Sequence, residues 1–346
     1  MFVSWALVVV TALLSIGCRK AETITPFAQD RIELRHVVDG QTYYLADDGN
    51  AYREVEPGVS WEYFETVFDP EEVKQAYQEE GGITYRIAPD TKKRFAVLRD
   101  LNDSFEDLET GMTGVKELVS EERAMWGSFT LQSPKSPTVA DYVALRTEIL
   151  SGDANFRDAR IEPTTEKAHT GSASLKCSVP AKPEAMITCK ASLSSPLVYF
   201  RDGDDFWFEA YFWAEEGLPM TLVDLECEFL PQHSGIRLRI FEDESLGIEL
   251  KALDKPQYRQ PEAERIAFPK SRWVCVRVHY VLSPTDGEME VWQDGQRVLA
   301  CSGMTLPFRS AIYNSLEIGI SAHGNSDSSS ILYVDDVRCS ASKFLH

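Results

Sequence analysis

Between residues 204 and 282 the chain alternates apolar and polar side chains strand after strand. That is the period of a sheet with one buried face. In 222–229, Leu222, Asp224, Glu226 and Glu228 share one face, and Val223, Leu225, Cys227 and Phe229 share the other. In 236–241, Ile236, Leu238 and Ile240 oppose Arg237, Arg239 and Phe241. In 248–253, Ile248, Leu250 and Ala252 oppose Glu249 and Lys251. Val274, Val276, Val278 and Tyr280 oppose Cys275, Arg277 and His279. Laid side by side, these strands predict an apolar inner face and one polar outer face, where function is expected. From residue 155 onward the pattern is almost pure β, roughly a dozen strands, punctuated by turns such as RDGDD, PTDG and QDGQ. Such punctuation belongs to sandwiches and barrels.

Upstream the pattern is mixed. Asp48-Gly49 between two strand-like runs predicts a hairpin. Residues 69–80 read as a helix opened by Asp69-Pro70 and ended by Gly81-Gly82, followed by a short strand, ITYRIA. A long acidic helix is expected over about 103–125. Ser136 is expected to cap a further helix with Pro137 at its first position and Gly152 at its end, with Val139, Tyr142, Val143, Leu145 and Ile149 on its apolar face. The expected division is a signal segment at 1–18, a tether at 19–30, a small α+β module at 31–152 and a β-sandwich at 153–342.

Composition narrows the function classes. The 346 residues carry 35 Lys+Arg against 55 Asp+Glu, a net charge of −20. The acidity is spread: −9 in residues 151–346 and −11 in the remainder. That field disfavours nucleic acid, which needs a basic footprint. Residues 1–17 are an apolar run too short for a membrane span, and Leu14-Ser15-Ile16-Gly17-Cys18 resembles a bacterial lipobox. The expectation is an exported envelope protein, held at the outer membrane through a lipid on Cys18 or released to the periplasm or exterior. Six further cysteines permit disulfides, with Cys177 and Cys189, flanking the turn AKPEA, as the first candidate pair. GxGxxG, P-loop, GxSxG and HExxH motifs are absent.

The stretches HTGSASLK, RWVCVRVHYVLS followed by GEMEVWQDG, and the closing YVDDV resemble the concanavalin-like jelly roll of heparin lyase I and glucuronan lyase type polysaccharide lyases, and related laminin-G-like carbohydrate-binding modules, over about 155–340. The resemblance implies a mainly β protein: a concanavalin-like jelly-roll sandwich of two antiparallel sheets with a small N-terminal α+β module. It implies a polysaccharide partner and, in modules of this kind, a structural calcium ion, for which Glu162, Asp335 and Asp336 are the candidate oxygen ligands. Lyases of this type neutralise a uronate carboxylate and then remove the C5 proton. Arg239 as neutraliser, His279 as base and Tyr211 as acid are the candidates here, with His233 in a loop beside them.

Three other readings stay open. Trp207, Glu209, Tyr211 and Trp213 share a strand face suited to stacking on sugar rings, unless that strand is buried on both sides. Glu226, Glu228, Arg237, Lys251 and Arg277 are candidate glycan-binding groups on neighbouring strands. The acids could instead pair with the cations as a solvated ladder of little energetic worth, leaving a structural or protein-interaction module. A paired-acid hydrolase is the remaining possibility. Binding of an extended polysaccharide is preferred over β-elimination, since no lyase motif is matched residue by residue.

Overall fold

A computed structural model describes residues 23–24, 29–230, 233–252 and 255–344. Cys18 and the signal segment lie outside the described residues. Asp100–Asp103 and most of the strands from residue 128 onward build two antiparallel sheets of seven and eight strands packed face to face. The chain crosses between the two sheets several times. Ser174–Val179, Asp205–Glu216 and Ser330–Ser340 lie in the eight-stranded sheet. Their chain neighbours Cys189–Ser195, Thr221–Glu226 and Ser315–His323 lie in the seven-stranded one. This wrapping makes the jelly roll, and it buries the alternating apolar positions of both sheets against each other. Phe206, Phe208, Phe212, Val276 and Val278 meet Val223, Leu225, Ile236, Leu238, Ile248 and Ile318 in one cluster, all nearly inaccessible to solvent. Dense apolar packing of this kind is the main stabilising contribution.

The alternation therefore reads correctly within each strand, but the strands do not form one polar face. Thr221–Glu226, Gly235–Ile240 and Leu246–Leu250 belong to the seven-stranded sheet, and Val274–Val281 to the other. The sandwich has two outer faces.

The expected boundary at 152/153 cuts through both sheets. Asp100–Asp103 pairs with Ser330–Ser340, and Ser128–Gln132 pairs with Cys189–Ser195. Further upstream, Thr23–Ile24 and the strands from Ile32 to Thr66 form a five-stranded antiparallel sheet, including the expected Asp48-Gly49 hairpin. Three expected helices change. The helix at 70–76 stops at Ala76, and Tyr77–Glu80 instead pairs with Ile83–Ile87. Gly81 and Gly82, at φ +61° and +80°, turn that hairpin rather than ending a helix. Over 103–125 only Met112–Leu118 is helical. The acids there are drawn off to partners: Asp103 accepts from Trp126 Nε1 at 2.7 Å and pairs with Arg123, and Glu106 accepts from the backbone of Ser172 and Ala173. The last helix, Val139–Ser151, is capped by Thr138 in a capping box with Asp141, two residues beyond the expected cap, because Ser136 Oγ is bound to the Leu131 carbonyl. Leu145 and Ile149 are its buried positions, while Val139 and Val143 face solvent.

Cys177 and Cys189 do not flank a hairpin. They lie on different sheets, and all six cysteines among the described residues are free thiols.

Candidate functional site

The outer face of the seven-stranded sheet carries an unbroken polar row. Register places Ser194 opposite Glu317, Glu317 opposite Asp224, Asp224 opposite Arg237, Arg237 opposite Glu249, and Glu249 opposite Gln257. Six strands each contribute one side chain, a track of about 24 Å at the usual strand spacing. Beside it, Glu226 lies opposite Gly235, and Lys251 reaches across to Glu226. Lys190 and Ser192 extend the face beyond Glu317.

The expected ladder of Asp224, Glu226 and Glu228 with Arg237, Arg239 and Lys251 is present in part, and it is buried. Arg237 Nε lies 3.4 Å from Asp224 Oδ1, and its Nη1 3.5 Å from Glu249. Arg239 pairs with Glu249, which also accepts from Gln257 at 2.9 Å. Glu228 leaves the face and pairs with Arg86 at 2.6 Å, because its strand ends at Glu226. Asp224, Glu226, Glu249 and Glu317 are each 6% exposed or less. Three polar atoms in this network lack a hydrogen-bond partner: Asp224 Oδ1, Arg237 Nε and Arg239 Nε. Unsatisfied buried groups are costly, so such atoms mark a place where a ligand can supply what the protein does not.

The electrostatics are uneven. Burial, reinforced by the charges of Glu226 and Asp224, raises the pKa of Glu317 despite nearby Lys190. Burial also works against ionised Glu226, but His233, Lys251 and Lys190 outweigh it and hold its carboxyl well below the usual range. His233, 3.7 Å from Glu226, has its own pKa raised by that partner. Lys190 stays charged because Glu317, Glu226 and Asp224 outweigh its burial. Among the described residues, one oxygen from each of Asp224, Glu226 and Glu317 lie within 4.8 Å of one another.

The other outer face holds Trp207, Glu209, Tyr211, Arg277 and His279. Arg239 and His279 are therefore on opposite sides of the molecule, separated by the core, and do not meet one substrate. Strand alternation reports the face of a residue, not its sheet. His279 is held between Asp205 at 2.6 Å and Glu290 at 3.3 Å and stacks on Trp207, their centroids 3.9 Å apart. Glu209 is clamped by Arg277 and Arg338. Tyr211 stacks on His169 at 3.5 Å, and burial with neighbouring Cys275 pushes its phenol up to about 12, against a role as acid. The rings on this face cover one another, Trp207 lying against both His279 and Trp292.

The acids expected to hold calcium serve other partners. Asp335 accepts from the backbone of His169, Thr170 and Asp336. Asp336 takes His169 Nδ1 and Thr170 Oγ1, both at 2.6 Å. Glu162 faces Arg160 at 3.5 Å. Their oxygens do not converge as a donor set and do not fit the ion.

Lys190, Ser192, Glu317 and Gln257 were missed by the sequence reading. The alternation around Lys190, Ser192 and Glu317 was visible in KASLS and SLEIGIS, but which strands lie side by side was not.

No protein-family model matches the chain, and no curated protein matches it. Among solved structures, a glucuronan lyase from the fungus Trichoderma reesei is similar at 11% identity and TM-score 0.43, over 63% of this chain and 96% of that one. The alginate lyase Aly36B is similar at 9% identity and TM-score 0.42, over 72% and 100%. A cellulose-induced protein, Cip1, is similar at 13% identity and TM-score 0.41, over 54% and 88%. At this level of likeness nothing of their substrates transfers to this chain.

Proposed function

We propose that the sandwich binds an extended polysaccharide laid across the strands of the seven-stranded sheet, along the row from Ser194 to Gln257. The observation that carries this reading is the continuous polar row with orphaned donors and an orphaned acceptor inside it. Sugar hydroxyls both donate and accept, so one ligand class satisfies Asp224 Oδ1 together with the Arg237 and Arg239 Nε–H groups. The near balance of acids and cations on this face suits a neutral glycan better than a polyanion in a field of −20. β-Elimination is the weaker reading, because the expected neutraliser and base lie on opposite faces. We place the chain in a bacterial envelope, tethered by lipidated Cys18.

Gel retardation on neutral, aminated and uronic polysaccharides tests the site. Arg237→Ala is expected to weaken retardation about tenfold, the worth of one charged hydrogen bond of about 1.5 kcal/mol. Trp207→Ala, on the opposite face, is expected to leave it unchanged. The reverse pattern sinks the assignment. The anchor is tested separately by fatty-acid labelling, expected to disappear in Cys18→Ala.

A further inference from the structure

A slot of about 280 Å³ opens where three separate pieces of the chain meet. One is the small three-stranded sheet Tyr77–Glu80, Ile83–Ile87 and Arg94–Ala96. The second is the stretch 119–127, and the third is Pro196-Leu197, just past the strand Cys189–Ser195. Phe95, Val119, Met125, Trp126, Pro196 and Leu197 make the walls, and no side chain of the polar row lines them. Protein interiors carry few voids larger than a water molecule. A dry apolar cavity of about 150 Å³ already takes benzene, and this slot is nearly twice that size. The charged groups around it are matched. Arg86 donates to the Pro196 carbonyl and pairs with Glu228 at 2.6 Å, and Glu121 pairs with Lys93. Trp126 Nε1 donates to Asp103 at 2.7 Å. A charged guest therefore finds no counter-ion here and loses its hydration without return. Ser120 is the polar exception: its Oγ accepts from the Arg123 amide at 3.4 Å, and its O–H has no acceptor among the described residues.

We propose that this slot binds a free, uncharged aromatic molecule of one or two fused rings with a single hydrogen-bonding group, of the indole or naphthol kind. The walls select for an aromatic guest over an aliphatic one, because ring faces meet ring edges favourably and the Met125 thioether sits well at a ring edge. The Ser120 hydroxyl takes the guest's one polar group. The rim is built to yield. Lys93 and Glu121 join two of the three pieces, yet both side chains are more than half exposed, so their pair is weak and opens at little cost. Ala124, on the same lining, holds φ +51° without the side-chain hydrogen bond that makes this conformation tolerable for Asn or Asp, and such strain gathers at ligand clamps. A small guest fits beneath this rim, whereas a group tethered to a polymer would hold the rim open. The proposal goes beyond the glycan reading and does not depend on it.

The test uses the full chain with isotope-labelled methionine methyls, titrated with 2-naphthol, indole and cyclohexanol. The Met125 resonance, identified as the one missing in Met125→Leu, is expected to shift with 2-naphthol and indole and to saturate below millimolar concentration, while the other methionine methyls stay in place. Cyclohexanol is expected to bind about tenfold more weakly, the scale of one lost aromatic contact. Ser120→Ala is expected to weaken 2-naphthol about fivefold, the scale of one neutral hydrogen bond. Ala88→Phe places a ring in the slot and is expected to abolish the shift of a reporter methyl on binding. Absence of a saturable Met125 shift with both aromatics overturns the proposal, and because that reading comes from the unaltered chain it does not depend on the folding of a variant. An undiminished shift in a folded Ala88→Phe overturns it by placing the guest elsewhere. Equal binding of cyclohexanol overturns the aromatic class. Naphthol binding in a chain that retards on no polysaccharide leaves the slot standing and sinks the glycan reading alone.

Discussion

Glu226 is enclosed by Lys251, His233 and Lys190, whereas Glu317 has Lys190 as its nearby cation and two acids for neighbours. The two carboxyls therefore respond to substitution in opposite ways. Glu226→Gln strands buried cations, and loss of one partner from a buried pair costs about 3 kcal/mol or more. Glu317→Gln replaces a group already inclined to hold its proton, so it is expected to cost little at pH 5 and to raise the melting temperature at pH 8. The sign follows from linkage. A carboxyl whose folded pKa is raised contributes stability below its unfolded value of about 4.3 and loses it as pH rises through the folded pKa. Asp335 adds to the same trend, since burial, despite accepted backbone hydrogen bonds, lifts it to about 6. The intact protein is thus expected to melt lower at pH 8 than at pH 5, with a shallower slope in Glu317→Gln. Thermal melts at the two pH values check both statements, and a large loss in Glu317→Gln at pH 5 contradicts them.

Single elements make sharper tests of what holds the sandwich together. Thr138 closes a capping box on the helix Val139–Ser151, so Thr138→Ala is expected to cost about 1 kcal/mol, read from chemical denaturation, whereas Ser136→Ala leaves that cap in place. Gly319 lies on the strand Ser315–His323 at φ +102°, and a Cβ there would sit 2.8 Å from Cys177 Sγ on the facing sheet. Gly319→Ala therefore combines backbone strain with overpacking between sheets and is expected to cost about 1–3 kcal/mol. Much at this scale was legible. The alternation of Ile236, Leu238 and Ile240 with Arg237 and Arg239, and of Phe206 and Phe208 with Trp207 and Glu209, named the buried side of each strand correctly. The sheet that each strand joins was not legible, because side-chain period is local and pairing is not. That one gap placed Arg239 and His279 in a common groove. It also hid Glu317, which meets Asp224 only after the long excursion between their two strands closes.

At the scale of the whole molecule, the stretch from Asp100 to residue 152 is part of the sandwich and not of an appended module. Leu101, Trp126, Phe129, Leu131, Leu145 and Ile149 join the same buried cluster as Phe208 and Ile318. Asp100–Asp103 and Ser128–Gln132 cover strand edges that would otherwise present open hydrogen-bonding groups, and exposed edges invite aggregation. A fragment beginning at residue 153 loses both strands and uncovers Ala191 and Leu193 from one side, although it contains almost the entire region that reads as β in sequence. It is expected to accumulate as insoluble material, or as a soluble form without a cooperative melt. A fragment covering 97–344 restores the two edge strands and the helix against Ser128–Gln132, and is expected to be soluble and to unfold cooperatively. Both fragments keep every residue of the polar row from Ser194 to Gln257, so composition of the site does not separate them; only completion of the sheets does. Solubility and a calorimetric melt of the two fragments decide the matter. Cooperative unfolding of the 153–344 fragment at the temperature of the full chain contradicts the shared-core architecture, while glycan retardation retained by 97–344 alone ties binding to the closed sandwich.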